Sequence, residues 1–181
     1  PYYLMDRQAE RAPIGANRLV YLPYLMGERS PKLDSDCRGV FFGLSAMHTK
    51  YDMLRAVMEG VIYSQRECLD ILRGMGVVSS EMLACGGGGS SPMWRQMMAD
   101  VYNLPVKTVV SKEGPALGVA ILAGVGAGIY PSVAEACRKV VKTNPAQAPI
   151  SENTGRYEEF YRVYCGLYPQ LKDCYKALAA L

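Results

Sequence analysis

Four consecutive glycines, Gly86 to Gly89, stand between a short apolar run and a helical pattern in EMLACGGGGSSPMWRQMMADVY, residues 81–102. Glycine gives up more backbone freedom on folding than any other residue. A run of them therefore suits a place where the chain turns with positive φ, or lies against something with no side chain between. Ser91 follows as a helix cap, and Pro92 fits the first helical position, where its missing N–H would have been an orphan in any case. Beyond it Met93, Met97 and Val101, with Trp94 and Met98 beside them, form one apolar face at helical spacing. The stretch reads as strand, glycine loop, helix N-terminus.

That geometry offers a site to an anion, because the first N–H groups of a helix are unpaired and its dipole favours negative charge. Phosphate is the obvious guest. No Lys-Ser or Lys-Thr pair follows the glycines, which excludes the P-loop. Pro92 stands where the third glycine of a dinucleotide fingerprint would fall, so that fold is disfavoured too. A tight strand-to-helix turn with no ligand fits the local pattern equally well.

The surrounding chain, 181 residues of which half are hydrophobic and a fifth charged, is long enough for one domain with a real core. A net charge of +3 is small and its basic residues are scattered, so neither nucleic acid nor an anionic membrane is indicated as a partner. The six cysteines show no CxxC spacing, and one histidine is too few to join them around a metal. Several fall on apolar faces, which points to buried reduced thiols in a cytoplasmic protein. No secretory signal opens the chain. The longest uncharged run, Gly114 to Ser132, contains two prolines and falls short of a membrane span; its GxxxG spacings suit a closely packed, buried helix.

In chain order, PYYLMDRQAERAP looks like the tail of a helix, so the sequence reads as beginning inside a larger protein. Asn17 to Leu25 has strand character ending near Pro23, and Gly39 to Leu44 is a second short strand. Between them lies a polar loop in which Glu28 and Arg29 are candidates to face a ligand cleft. Thr49 and Asp52 form a capping box for a long helix with an apolar stripe through Met53, Ala56, Val57, Gly60, Val61, Ser64, Cys68, Ile71 and Leu72, ending near Gly74. Arg55, Glu59, Arg66, Glu67 and Asp70 read as its solvated face, and His48 as a surface loop residue. Leu104 to Val110 is a strand, Lys112 to Gly114 a polar turn, Ala116 to Ala127 a small-residue helix, and Pro131 the start of another. Asn144 to Ser151 is a connector. Tyr157, Phe160, Tyr161, Tyr164, Leu167, Tyr168, Leu171, Tyr175 and Leu178 make a packing stripe on a final helix that Pro169 kinks or divides. Strands alternating with helices imply an α/β layer structure, whose ligands gather at the carboxyl ends of strands.

Gly39 to Glu59, GVFFGLSAMHTKYDMLRAVME, resembles the second sequence pattern of the FGGY carbohydrate kinases: Gly39, Phe41, Gly43, Leu44, a seven-residue gap, then Asp52, Met53, Ala56, Val57, Met58 and Glu59. CGGGGSSPMWRQMMADVYNLPV is similar to the nucleotide-binding segment of that family, EGPALGVAILAG to the helix after it, and YLPYLMGERSP to the version of that region in its xylulokinase group. The resemblance implies a ribonuclease H-like, actin-like ATPase fold, a mixed sheet flanked by helices, in which two domains close around sugar and ATP. This chain, residues 1–181, would be part of the C-terminal, nucleotide-binding domain.

By the same resemblance Gly87 approaches the nucleotide phosphates through its backbone, with Gly86 and Gly88 keeping the turn open. Ser91 stands where the family places a polar contact to the adenosine, serine here in place of the asparagine of glycerol kinases, and Ser90 is a second candidate for that contact. The catalytic aspartate, the sugar-binding N-terminal domain and most contacts to Mg2+ are expected upstream of Pro1, so no acidic residue present here is assigned as the base. The implied reaction is ATP-dependent phosphorylation of a small sugar, D-xylulose first, with ribulose, gluconate and glycerol as alternatives. A non-enzymatic interaction module remains a competing reading. The isolated chain is expected to be inactive, and a homodimer is left open.

Overall fold

The computed structural model describes residues 2–111 and 114–181. Lys112 and Glu113, two residues of the expected polar turn, lie outside the described residues, as does Pro1. Helix α1 (Tyr2–Ala9) leads through a short 3-10 turn (Ala16–Arg18) into β1 (Val20–Leu22), which pairs antiparallel with β2 (Val40–Phe42) in the register Val20 to Phe42. Helix α2 (Lys50–Gly74) follows, then β3 (Met82–Ala84), α3 (Gly86–Ser90), α4 (Pro92–Tyr102) and β4 (Val106–Thr108). Strands β3 and β4 pair in parallel, Met82 opposite Val106. Helices α5 (Gly114–Gly126), α6 (Val133–Val140) and α7 (Ser151–Ala179) complete the chain. The architecture is the α/β class that the alternation of elements predicts, with two small sheets flanked by helices.

Local signals explain most boundaries. Thr49 and Asp52 form the capping box of α2, Thr49 N donating to Asp52 Oδ2 at 2.7 Å. Ser132, one residue after the expected start at Pro131, caps α6 by accepting from Glu135 N at 3.2 Å. Strand β1 begins later than Asn17, because Asn17 lies in the left-handed region at φ 55° and cannot extend. The segment after α6, expected as a bare connector, pairs with β4 instead: Val106 and Gln147 exchange two backbone hydrogen bonds of 2.9 Å, and Val109 bridges Thr143. Helix α7 runs through Pro169 without dividing.

The core lies where α2, α4 and α7 meet β1 and the β3–β4 sheet. The tyrosine stripe of α7 is packing: Tyr63 of α2 sits with its ring centroid 5.4 Å from that of Tyr164 and 5.9 Å from that of Tyr161, and Tyr164 OH lies 3.0 Å from Tyr24 OH.

Two expectations fail, in opposite senses, because the residue pattern of a helix does not say how many neighbours it acquires. Helix α2 touches α1, β1, α4 and α7, so its supposed solvated face is largely buried. Glu59 is 1% exposed and accepts from Arg55 Nε at 2.8 Å and from Gly15 N at 3.1 Å, while Arg55 also donates to Ala12 O and Tyr157 OH. Burial pushes the Glu59 carboxyl up from its ordinary range, against the pull of Arg55 and the Gly15 amide. Met53, Ile71 and Leu72, expected in the stripe, are exposed. Helix α5, expected to be buried, rests on α6, with only Ile121 and Gly124 enclosed; Val119 is 67% and Leu122 61% exposed. Among the described residues, no helix is long and apolar enough to cross a membrane.

Candidate functional site

At the carboxyl end of β3 the glycines form one helical turn, α3, in place of the open loop expected from sequence. Only Gly86 among them has positive φ, at 72°, and it turns the chain from the extended Cys85 into the helix. A turn of glycines is a poor helix, each residue costing roughly 1 kcal/mol against alanine, so neighbouring groups must hold it. Gly89 lies on the end of β3, where a Cβ would come 2.9 Å from both C and O of Ala84. Gly88 lies over the indole of Trp94, and Arg95 Nη1 donates to Gly89 O at 2.8 Å.

The opposite side of the turn is open. Gly86 and Gly87 are exposed, and a Cβ on either would meet nothing within 4 Å. Among the described residues, no carbonyl or side chain from elsewhere in the chain occupies the amides of Gly86, Gly87 or Gly88. Ser90 is also exposed, its Oγ donating to Gly86 O at 3.4 Å. Ser91 is buried and caps α4, its Oγ accepting from Trp94 N at 3.3 Å, with Pro92 in the first turn as the sequence predicts. The structure thus brings Gly86, Gly87 and Ser90 to one exposed surface, sets Gly88 half-buried beside them, and places Ser91 behind. A group accepting several N–H bonds, such as a phosphate oxygen, suits that surface.

Beside Cys85 a cavity of about 270 Å³ opens between β3, α4 and α2, lined by Met82, Ala84, Met98, Tyr102 and Gln65 among others. Its walls are mostly apolar, and Gln65 Oε1 accepts from Tyr102 OH at its edge. Sequence reasoning missed Arg95 and Gln147, which meet across the site from positions 52 residues apart, Arg95 Nε donating to Gln147 Oε1 at 2.7 Å. No local signal marks such a pair.

Other candidates have structural work. Glu28 accepts from Ser30 N at 3.1 Å and Ser64 Oγ at 3.4 Å, which ties its own loop to α2 and leaves the side chain half-buried; Arg29 beside it is exposed. His48 bridges Ser45 N and Asn17 O on the surface. Asp100 is buried and accepts from Gln96, Ile150 N and Asn153, fixing the start of α7. Among the described residues, no group of three or more His, Cys, Asp or Glu is placed to hold a metal ion. The N–H donors of the turn suit the anionic part of a nucleotide.

Comparison with known proteins gives the same direction. A family model described as "FGGY family of carbohydrate kinases, C-terminal domain" matches residues 2–127. The xylulose kinase of Staphylococcus epidermidis is 40% identical over 165 residues, which cover 91% of this chain and 33% of that protein. Ligand-bound xylulose kinase from Lactobacillus acidophilus superposes with a TM-score of 0.90 at 29% identity, over 96% of this chain and 35% of the other. Gluconate kinase from the same organism gives a TM-score of 0.89, also at 29% identity, with the same coverage. The chain spans about a third of the length of the relatives it matches.

Proposed function

This chain belongs to the FGGY family of carbohydrate kinases, and from that premise we propose that it is the nucleotide side of an ATP-dependent kinase acting on D-xylulose. The observation that carries the proposal is the turn Gly86–Ser90 at the carboxyl end of β3, exposed at Gly86, Gly87 and Ser90, where among the described residues no group from elsewhere in the chain occupies the amides of Gly86, Gly87 and Gly88. Gly86, Gly87 and Gly88 would receive phosphate oxygens through their N–H groups. Ser90 is the better placed of the two serines to reach the ribose or base, because the Ser91 hydroxyl is committed to its cap.

The rest of the reaction lies elsewhere. We assign residues 1–181 to part of a C-terminal domain, with the sugar-binding domain, the catalytic aspartate and the groups for Mg2+ in other parts of the full-length protein. Phosphoryl transfer depends on positioning and charge neutralisation by several groups at once, so this chain alone should be inactive. A cytoplasmic location belongs to the same proposal and is supported by six unpaired cysteines.

In the full-length enzyme, Gly87→Leu should raise the KM for ATP by about tenfold or more, the equivalent of one charge-assisted hydrogen bond, with the KM for sugar nearly unchanged. Unaltered ATP kinetics would overturn the assignment. The near-equal likeness to a gluconate kinase favours a second substrate reading, which the same enzyme assayed with D-xylulose, ribulose, gluconate and glycerol decides.

A further inference from the structure

We infer that Arg95, locked by Gln147, is a positioning residue for nucleotide binding, holding the glycine turn at the angle at which its amides meet phosphate. The inference rests on the function proposed above. A five-residue helix with four glycines is far below the length at which a helix stands by itself, so its orientation must be imposed from outside. Arg95 supplies the imposition at the end away from solvent. Its Nη1 donates to Gly89 O at 2.8 Å, satisfying a carbonyl in the last turn and placing positive charge where the helix dipole is negative.

Arg95 is itself held. Its Nε donates to Gln147 Oε1 at 2.7 Å, Gln147 Nε2 donates to Pro92 O at 3.2 Å, and the Gln147 backbone pairs with Val106 of β4 in both directions. A continuous set of contacts thus runs from β4 through Gln147 and Arg95 to Gly89, which rests in turn on Ala84 of β3. Both strands of the parallel sheet therefore fix the turn, one by direct contact and one through the guanidinium. A cation in the first turn of α4 is unfavourable for the dipole of α4 itself. The placement gains nothing for its own helix, which points to its use by α3.

The test uses the full-length enzyme with Arg95→Met and, to loosen the arginine without removing it, Gln147→Leu; Gly87→Leu reports on the phosphate site itself. Arg95→Met should raise the KM for ATP about tenfold or more, and Gln147→Leu by a smaller factor, with kcat and the KM for sugar within about twofold of the parent. If Gly87→Leu raises the KM for ATP and neither other variant does, the inference is overturned and the phosphate site stands. If none of the three moves it, the site and the inference fall together. A drop in kcat, both KM values rising together, and a lowered melting temperature in Arg95→Met and Gln147→Leu would show a scaffold role only and would also overturn it.

Discussion

Replacing Arg55 with methionine should damage the protein far more than replacing Arg55 and Glu59 together. The guanidinium serves three acceptors, Glu59 Oε1 at 2.8 Å, Tyr157 OH at 2.7 Å and Ala12 O at 3.1 Å, and so joins α2 to α7 and to the segment after α1. Methionine fills much of the aliphatic space but leaves the Glu59 carboxylate with the neutral Gly15 amide and Tyr157 hydroxyl and no cation, in a position 1% exposed. Removing one partner of a buried pair costs about 3–5 kcal/mol, whereas an apolar replacement of both is close to neutral. At about 1.4 kcal/mol per factor of ten, amide hydrogen exchange in α2 and α7 peptides should quicken by roughly a hundredfold or more in Arg55→Met. Arg55→Met/Glu59→Leu should return most of that protection.

The sign of the pH dependence follows from the same geometry. Without Arg55, the folded-state pKa of Glu59, already raised by burial, rises further above its unfolded value. The native state then binds the proton more readily than the unfolded chain, so stability falls as pH climbs past the ordinary carboxyl range and is regained on acidification. The exchange defect of Arg55→Met should therefore be smaller near about pH 5 than near about pH 8. Single and double variants that exchange alike, with no dependence on pH, would refute the reasoning.

Gly89→Ala, whose Cβ would come 2.9 Å from the Ala84 carbonyl, should lose about 1–3 kcal/mol in denaturant unfolding. Gly87→Ala, with nothing within 4 Å, should hold or gain up to about 1 kcal/mol; equal losses would contradict the contact. Tyr168 OH donates to Asp34 at 2.7 Å and holds that carboxyl below its usual range, so the stabilisation Asp34 gives is present above the ordinary Asp range and lost as pH falls through the depressed value. Tyr168→Phe should move the Asp34 midpoint upward in a carbon-13 NMR titration, and an unmoved midpoint would reject the bond. Leu122→Lys on the bare side of α5 should lower hydrophobic-dye binding by the isolated 181-residue chain, and unchanged binding would mean that this side is covered.

Periodic and capping signals carried the element order well: the capping box at Thr49, the Ser91-Pro92 start of α4 and the tyrosine spacing of α7 are local and strong. What they could not carry is how many neighbours an element acquires. Arg55 and Glu59 stand four apart on α2, a spacing equally suited to a solvated pair, and only the approach of Ala12, Gly15 and Tyr157 from distant sequence encloses them. The apolar letters of α5 suggest burial, yet its one prominent partner here is α6. At the site, the glycine run and its flanking serines were legible. The collapse of the run into a helical turn was not, because glycine's own preference opposes it, and the contacts that override that preference come from Trp94, Arg95 and Ala84.

The four glycines look interchangeable as letters and are not. Gly86 holds a left-handed backbone, Gly87 borders open space, Gly88 covers an indole and Gly89 abuts a strand carbonyl. A library randomised at these codons would return four unrelated tolerance profiles. Position 87 would admit side chains under selection for folding and reject them under selection for phosphorylation, while position 89 would reject them under both.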